Sequence, residues 1–369
     1  MKIFQVINVR WFNATAWYAI YLSKLLADDG HDVIVLTLEN TDPDKKAREL
    51  GLKTIPLDIN TNNPLRLAKA CSKIVSLLRQ HEPDIVNCHR GEGFFLWGLL
   101  KLANFEYKLV RTRGDQRLPR SDIFNRWLHA SVADAVVVTN RRMAQHFLEK
   151  MKTPESALWL IHGGVDKKRF HFDETGRIKI RAEFGFQSDE HVIGLLGRFD
   201  RVKGHLELIK AIARLRDQGQ KNIRLFLIGF DTAMDSTQIQ QWLQEYAIED
   251  ITTISGKRKD VTACISALDT GVVASLWSEA IARAALEIMA CQRILISTDV
   301  GVMPDIVPQE ALTAPGDDAT MATLLAKAIT DRQFRERLQE QHKSTMSQLG
   351  GNDFLNRTIN LYTGLLEKN

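Results

Sequence analysis

The sequence has few of the features that would mark a secreted, membrane-spanning or metal-clustered protein. Its four cysteines show no redox or metal-ligand spacing, so we expect free thiols in a reducing cytoplasm. No apolar run approaches the roughly 20 residues that a membrane-spanning helix needs. The apolar stretch at the start is too short for a signal peptide, and we expect it to form a first strand.

Two further absences disfavour particular classes of enzyme and cofactor. No G-x-G-x-x-G follows the first predicted strand, which disfavours a dinucleotide dehydrogenase. No Asp-x-Asp occurs in the second half of the chain, so we expect neither a divalent metal nor any other cofactor. The sequence also contains no short repeat and no low-complexity segment.

The composition is that of a globular protein, but its charge is unevenly distributed. Of 369 residues, 44% are hydrophobic and 25% are charged, and the length predicts two domains. Residues 1–165 carry 23 Lys and Arg against 17 Asp and Glu, whereas the remainder carries 26 against 28. The basic first half favours an anionic partner or an anionic membrane face, and chance surface charge is the alternative. We expect no nucleic-acid partner.

Strand-like apolar runs alternate with amphipathic helical stretches throughout the chain, which predicts an α/β fold. Each half is typical of a doubly wound Rossmann-like domain, and two such domains facing each other would form a cleft. We predict an acceptor-side domain at 1–165, a donor-binding domain at 166–350 and a final segment at 351–369. The apolar spacing of 354–366 predicts a helix in that segment, which we expect to cross back onto the first domain.

The segment 197–204 (GRFDRVKG) lies between a predicted strand and a predicted helix. Its glycines permit a tight turn, and a helix N-terminus favours an anion. Arg198 could clamp a phosphate through its planar fork, and Lys203 could do so as a point charge. A solvated basic loop is the alternative.

A second segment, 275–290 (SLWSEAIARAALEIMA), combines two carboxylates with a predicted helix start. Glu279 stands at the mouth of that helix, and Glu287 follows about two helical turns later. Carboxylates accept hydrogen bonds from sugar hydroxyls, and amides at a helix start hold a diphosphate. The alternative is a capping glutamate followed by an ordinary surface glutamate.

Together these segments resemble the donor site of glycosyltransferase family 4, in the GT-B superfamily. The family pattern is a G-R-x-x-x-x-K-G loop, a serine-rich strand end, and two glutamates separated by seven residues before M-A. The run TDVGVMPDIV from Thr298 resembles the family's T-D-V-G-G-x-P-E-x-V. HGGVDKKRF from His162 resembles its interdomain N-G-V-D-x-x-x-F. The resemblance covers nearly the whole second half, in the family's order.

The resemblance implies a retaining, metal-independent sugar transferase that uses a nucleotide-diphosphate sugar. Arg198 and Lys203 would neutralise the leaving diphosphate. Glu279 would contact the donor sugar, and Glu287 would bind the ribose hydroxyls. The implied donor-binding residues are Gly197, Arg198, Lys203, Gly229, Lys259, Glu279, Ala280, Ile281, Ala282 and Glu287. The implied catalytic residues are Glu279, Arg198, Lys203 and His89.

The chain departs from the family pattern at two places, one in the predicted donor half and one near the amino terminus. Where the family has E-G-F-G, this chain has Glu279-Ala280-Ile281-Ala282, so side chains stand where glycine allows close approach. We expect Ile281 to turn inward. Near the amino terminus, the segment 13–17 (NATAW) replaces a glycine pair that admits the donor in relatives.

On the acceptor side, His89 follows a predicted strand, where it either orients a hydroxyl or is a structural histidine. The segment 108–115 (KLVRTRGD) has no histidine where many relatives place one near the reacting carbon. Arg113 or Asp115 would serve instead, or that contact is missing. A basic loop is predicted for the four arginines that follow closely in sequence, and it either binds an anionic acceptor or is solvated: Arg111, Arg113, Arg117 and Arg120.

We therefore expect a sugar transferase whose acceptor is a growing surface glycan, such as a lipopolysaccharide core or a lipid-linked oligosaccharide. The expected location is the cytoplasm, with peripheral attachment to the inner membrane. Two alternatives stay open: a nucleotide-sugar epimerase with the same fold, and a non-catalytic protein that binds nucleotide sugars. Turnover and nucleotide release would discriminate the three.

Overall fold

The computed structural model of the protein describes residues 1–61 and 63–367. The chain divides into two compact units, Met1–Gly163 with Gly351–Asn369, and Gly164–Gly350. Residues 368 and 369, which belong to the predicted final segment 351–369, lie outside the described part.

The first unit is built on a seven-stranded parallel sheet with the strand order β3-β2-β1-β4-β5-β6-β7. Its strands are β1 (Lys2–Ile7), β2 (Asp32–Thr37), β3 (Lys53–Pro56), β4 (Ile85–Cys88), β5 (Lys108–Arg113), β6 (Ala135–Val138) and β7 (Leu158–Leu160). Its helices are α1 (Ala14–Asp28), α2 (Asp42–Glu49), α3 (Pro64–His81), α4 (Phe94–Leu102), α5 (Ile123–Trp127) and α6 (Arg141–Glu149).

Asparagine side chains cap the first turns of two helices in this unit. The side chains of Asn13 and Asn140 accept hydrogen bonds from first-turn amides of α1 and α6, at 3.0 and 2.8 Å. All residues of β4 and β6 are buried, as expected for central strands of a parallel sheet covered on both faces.

The second unit contains a six-stranded parallel sheet with the order β10-β9-β8-β11-β12-β13. Its strands are β8 (His191–Leu196), β9 (Ile223–Ile228), β10 (Thr252–Ile254), β11 (Thr270–Val273), β12 (Ile294–Thr298) and β13 (Leu312–Thr313). Its helices are α7 (Glu174–Glu183), α8 (His205–Asp217), α9 (Ser236–Glu245), α10 (Val261–Ser266), α11 (Arg283–Ala290), α12 (Met303–Ile306), α13 (Asp318–Thr330) and α14 (Arg332–Ser347).

The final helix, α15 (Gly351–Leu366), belongs to the first unit. Its Tyr362 is fully buried, and the hydroxyl accepts a hydrogen bond from the amide of Asn87 at 2.9 Å. The ring of Phe354 packs on Tyr18 of α1 with centroids 4.6 Å apart. The last helix therefore contributes both apolar and polar contacts to the core of the first unit.

The prediction of two doubly wound, Rossmann-like α/β domains is confirmed. Both sheets are wholly parallel, and in each of them the order of strands reverses beside the first strand, β1 or β8. The carboxyl ends of the strands next to such a reversal are where open α/β sheets bind ligands. Among the described residues, no helix is long and apolar enough to cross a membrane.

Candidate functional site

The loop 197–204 begins where β8 ends and lies against the ends of neighbouring strands. A methyl group at Gly229 would lie 2.3 Å from the carbonyl oxygen of Gly197, and one at Gly204 would lie 1.9 Å from that of Ala274. Gly204 also has a φ of 70°, which only glycine adopts readily. The glycines of the predicted motif therefore let the loop approach the backbone beyond β9 and β11.

This close approach brings Lys203 to Glu279, although the two are far apart in sequence. The ammonium of Lys203 forms an ion pair with Oε1 of Glu279. The hydroxyl of Ser275 donates to the same oxygen at 2.5 Å. The Glu279 side chain is 8% exposed and that of Lys203 is 24% exposed, so the pair is partly shielded from water. Because an ammonium has three donors, Lys203 can contact a ligand while it holds Glu279.

The remaining cations of the loop differ in their availability. The guanidinium of Arg198 is half exposed and donates to Asp200 at 2.8 Å. Arg201 forms two hydrogen bonds with Glu207, at 2.7 and 2.6 Å, and is thereby committed to helix α8. Arg198 is therefore the more accessible partner for an anion beside Lys203.

Lys259 is exposed in the turn between β10 and α10. In the same turn, the ammonium of Lys257 lies 5.5 Å from the ring centroid of Phe230, which directly follows Gly229. The turns after β9 and β10 are thus neighbours at one edge of the sheet. Lys259 has a suitable position for a ligand contact at that edge, and its role stays a prediction.

The mouth of α11 carries the departure from the family's glycines. Ala280, Ile281 and Ala282 are all buried, and the expected inward turn of Ile281 is observed, with 2% exposure. Ala282 precedes the helix with a φ of 51°, in the left-handed region. An alanine there costs about 1–2 kcal/mol, which glycine would avoid. The backbone at this position therefore has a conformation typical of glycine, although the residue is an alanine.

Glu287 lies inside α11 and is 3% exposed. The Nε of Arg283, one helical turn earlier, donates to its Oε1 at 2.6 Å. Burial raises the pKa of Glu287 above its ordinary value, while Arg283 and Arg169 act in the opposite direction. Arg283 was not among the predicted site residues, although its four-residue spacing from Glu287 was the available signal.

A buried histidine, His205, lies beneath the same loop and was also missed. Its ring meets that of Phe199 edge-on with centroids 5.3 Å apart. Burial and the nearby Lys203 lower the pKa of His205 to about 4. It is therefore neutral at pH 7 and adds no charge to the site.

In the first unit, His89 does not reach the surface. It is fully buried, and its Nε2 lies 2.6 Å from Oε1 of Gln5. Burial and Arg111 lower the pKa of His89 to about 3. The expected contact between His89 and an acceptor hydroxyl is therefore corrected: the structure supports the structural alternative, because the ring is enclosed.

The predicted basic loop also needs correction. Arg111 and Arg113 lie on β5 and are 0% and 8% exposed, whereas Arg117 and Arg120 are exposed in the following loop. Arg113 donates to Asp115 at 2.9 Å and to the carbonyl of Arg117. The four arginines therefore form two groups: two inside the unit, and two on its surface.

No group of three or more His, Cys, Asp or Glu side chains within 1–61 and 63–367 could hold a metal ion. The four cysteines are free thiols. Arg198 and Lys203 are cationic side chains near the strand ends of the second unit.

Two family models match the chain. Residues 15–169 match Glycosyltransferase Family 4, and residues 176–345 match Glycosyl transferases group 1. The two matches follow one another and correspond to the two units of the structure. The first half of the chain is therefore a family 4 domain and the second half a group 1 domain of the glycosyltransferases.

Curated relatives are distant and longer than the matched region. The D-inositol 3-phosphate glycosyltransferase of Corynebacterium jeikeium is 25% identical over 232 residues, which are 60% of this chain and 55% of that protein. The sulfoquinovosyl transferase SQD2 of Arabidopsis thaliana is 23% identical over 346 residues, 85% of this chain and 63% of that protein. The chain thus spans less than two thirds of these relatives' length.

Solved structures share the fold over the full chain. A glycosyltransferase from Rickettsia africae has a TM-score of 0.89 at 18% identity and covers 100% of this chain and 99% of its own. Anabaena Alr3699/HepE, in complex with UDP and glucose, has a TM-score of 0.81 at 17% identity, covering 99% and 100%. WaaG, a glycosyltransferase involved in lipopolysaccharide biosynthesis, has a TM-score of 0.71 at 15% identity, covering 99% and 100%. The fold is GT-B.

Proposed function

We propose that this protein transfers a glycosyl unit, with retention of anomeric configuration, from a nucleoside-diphosphate sugar to a glycan or lipid-linked acceptor. The observation that carries the proposal is the shielded Lys203–Glu279 pair, braced by Ser275 at the strand ends of a group 1 domain. A fixed cation in a partly buried position stabilises charge that grows on a leaving diphosphate, without reorganisation of solvent.

Each member of the site has a distinct task in this proposal. Lys203 and Arg198 neutralise the leaving diphosphate and take the place of a metal ion. Glu279 accepts hydrogen bonds from the donor sugar, and the amides at the start of α11 approach the phosphates. Glu287 accepts from the ribose hydroxyls, and its pairing with Arg283 keeps its carboxylate oriented.

Uridine diphosphate is the first nucleotide to test, because the similar Anabaena protein is solved with UDP and glucose. For the acceptor we propose an intermediate of lipopolysaccharide or another surface polysaccharide. Similarity to WaaG and the basic first half support this choice.

A surface of the first unit supports peripheral attachment to the inner membrane. Leu118, Ile123 and Phe124 expose 43%, 86% and 50% of their surface beside the exposed Arg117 and Arg120. Exposed apolar side chains flanked by arginines suit the interface of an anionic bilayer, where the apolar side chains enter the headgroup region.

The test follows nucleotide release from UDP-sugars with and without glycan acceptors, and determines the anomeric configuration of the product by proton NMR. Transfer predicts acceptor-dependent UDP release and a retained anomeric configuration. Conversion of the free UDP-sugar to its epimer would support the epimerase instead, and tight UDP binding without turnover would support a non-catalytic protein. An inverted product would refute retention alone.

A further inference from the structure

Arg111 is a charged side chain that the proposed chemistry leaves unexplained. It is fully buried, and its Nη1 donates to the carbonyl oxygens of Cys88 and Thr112, at 2.8 and 2.5 Å. Its Nε and Nη2 have no hydrogen-bond partner among the described residues. Buried donors without an acceptor are rare in native proteins and destabilising, so this pair requires an explanation.

The charge of Arg111 is not directly balanced by a carboxylate. Burial and Arg113 lower the pKa of Arg111 to about 9, which still leaves it protonated at pH 7. Asp115 is held by Arg113 at 2.9 Å, and Glu92 is held by Arg90 at 2.7 Å. Each of these carboxylates is therefore paired with another arginine, and the guanidinium of Arg111 has no carboxylate partner among the described residues.

Further donors without acceptors lie on the same stretch of chain. The Nε of Arg113 and the Nε2 of Gln116 are buried and have no partner in the described part of the structure. His129, which senses the charge of Arg111, is itself neutral, because burial lowers its pKa to about 4. The segment 111–116 thus contains four buried N–H donor atoms without a hydrogen-bond partner among the described residues.

Gly91 lies next to this cluster. That residue is exposed, and a methyl group on it would lie 3.8 Å from Nη2 of Arg111. Helix α4 begins just beyond, after Gly93, whose φ is 69° and which offers no side-chain cap to the first turn. The amides of Phe94 and Leu96 in its first turn already donate to the carbonyl oxygens of Gly91 and Gly93, at 3.1 and 2.9 Å, so the unpartnered donors beside Gly91 are those of Arg111.

We propose that Arg111 and the adjoining segment 91–93 form a subsite for a phosphate group on the acceptor. This inference rests on the proposed function and names the class of acceptor. A phosphate supplies three acceptor oxygens, which suits the several donors present, and its charge offsets the unbalanced guanidinium. Arg117 and Arg120 would then act as an outer, solvent-exposed approach to an enclosed site.

The test measures binding of inorganic phosphate, a hexose 6-phosphate and the unphosphorylated hexose by calorimetry at constant ionic strength. All variants are made in an R198A/K203A background, so that phosphate binding in the second unit does not contribute. In that background, Arg111→Met should weaken binding of both phosphate compounds at least about tenfold, the scale of a charged hydrogen bond. The unphosphorylated hexose should bind equally weakly to all variants.

A second variant allows the proposal to be tested even if Arg111→Met does not fold. Gly91→Ala places a methyl group 3.8 Å from Nη2 of Arg111, at ordinary van der Waals distance, and should also weaken phosphate binding. The matched control is Gly364→Ala on α15, because a methyl group there would meet no atom within 4 Å. This control should bind phosphate like the background protein.

Unchanged phosphate and hexose-phosphate affinity in either folded variant would overturn the subsite. Vesicles containing phosphatidylglycerol form a separate arm. If Arg111→Met lowers vesicle binding while hexose 6-phosphate binding stays the same, the assignment to a phosphorylated acceptor glycan is also overturned. UDP binding to the otherwise native protein reports on the donor site independently, so failure of the proposed function would be seen there and not here.

Discussion

Replacing Lys203 by alanine tests the centre of the candidate donor site. The change removes the ammonium that pairs with Glu279 and leaves that carboxylate, 8% exposed, with Ser275 as its remaining described hydrogen-bond donor. Two effects on nucleotide binding should follow. The diphosphate loses one charge-assisted hydrogen bond, worth about 1.5–3 kcal/mol, and it meets a carboxylate whose charge is no longer balanced.

The loss of the hydrogen bond alone predicts that UDP binds about 10- to 100-fold more weakly to Lys203→Ala. Because part of the loss is repulsion from Glu279, adding Glu279→Gln to Lys203→Ala should recover part of the affinity. The two substitutions should therefore be non-additive, as expected for side chains in contact.

Calorimetric titration with UDP and UMP provides the assay. UMP lacks the β-phosphate, so its affinity should fall less than that of UDP if Lys203 contacts the diphosphate beyond the α-phosphate. The control is Lys221→Ala, which removes an exposed lysine from the turn between α8 and β9. Unchanged UDP affinity in folded Lys203→Ala would remove Lys203 from the site, and equal losses for UDP and UMP would refute a β-phosphate contact.

Four further outcomes are expected. Ala282→Gly should raise the free energy of unfolding in urea by up to about 1 kcal/mol, because glycine adopts a φ of 51° without strain, whereas Ala284→Gly within the same helix should lower it. Burial lowers the pKa of His342 to about 4, so its neutral form stabilises the fold above pH 6.5, and this contribution is lost as pH falls toward 4. The resulting fall in the free energy of unfolding amounts to about 2 kcal/mol at pH 5. His342→Leu should flatten this pH dependence. Neutralising Arg117 and Arg120 together should raise the KM for a phosphorylated acceptor while UDP affinity stays the same, and an unchanged KM would show that both are ordinary surface residues. Transfer activity should persist in excess chelator, and full loss restored by manganese or magnesium would contradict a metal-independent site.

The candidate site in the second half of the chain could be proposed from short contiguous motifs, and its role as a donor site stays a prediction. The segment 197–204 and the pair Glu279 and Glu287 are recognisable without knowledge of their neighbours. Glycines at close backbone contacts, such as Gly204 against Ala274, have few substitutes, so they mark the loop in the sequence. The class of fold followed from the alternation of strands and helices, because that alternation limits the possible topologies.

The acceptor half was predicted less well because residue type does not report burial. Arg111 and Arg113 were assigned to a loop from their charge, yet they stand on β5, a central strand covered on both faces. His89 followed a strand as expected, but the structure directs it at Gln5 inside the unit. An arginine is exposed in most proteins, so a single sequence carries no signal that one is enclosed.

The sequence by itself thus determined the α/β class, the two Rossmann-like halves and the identity of the polar groups at the donor motifs, because these depend on local periodicity and on contiguous residues. Only the tertiary structure decided which groups meet. It paired Lys203 with Glu279 across 76 positions, placed His89 against Gln5, and enclosed Arg111 with unsatisfied donors behind Gly91. The physical reason is that the charge and hydrogen-bonding state of a side chain depend on its desolvation and its partners, which are set by strand order and packing rather than by proximity along the chain.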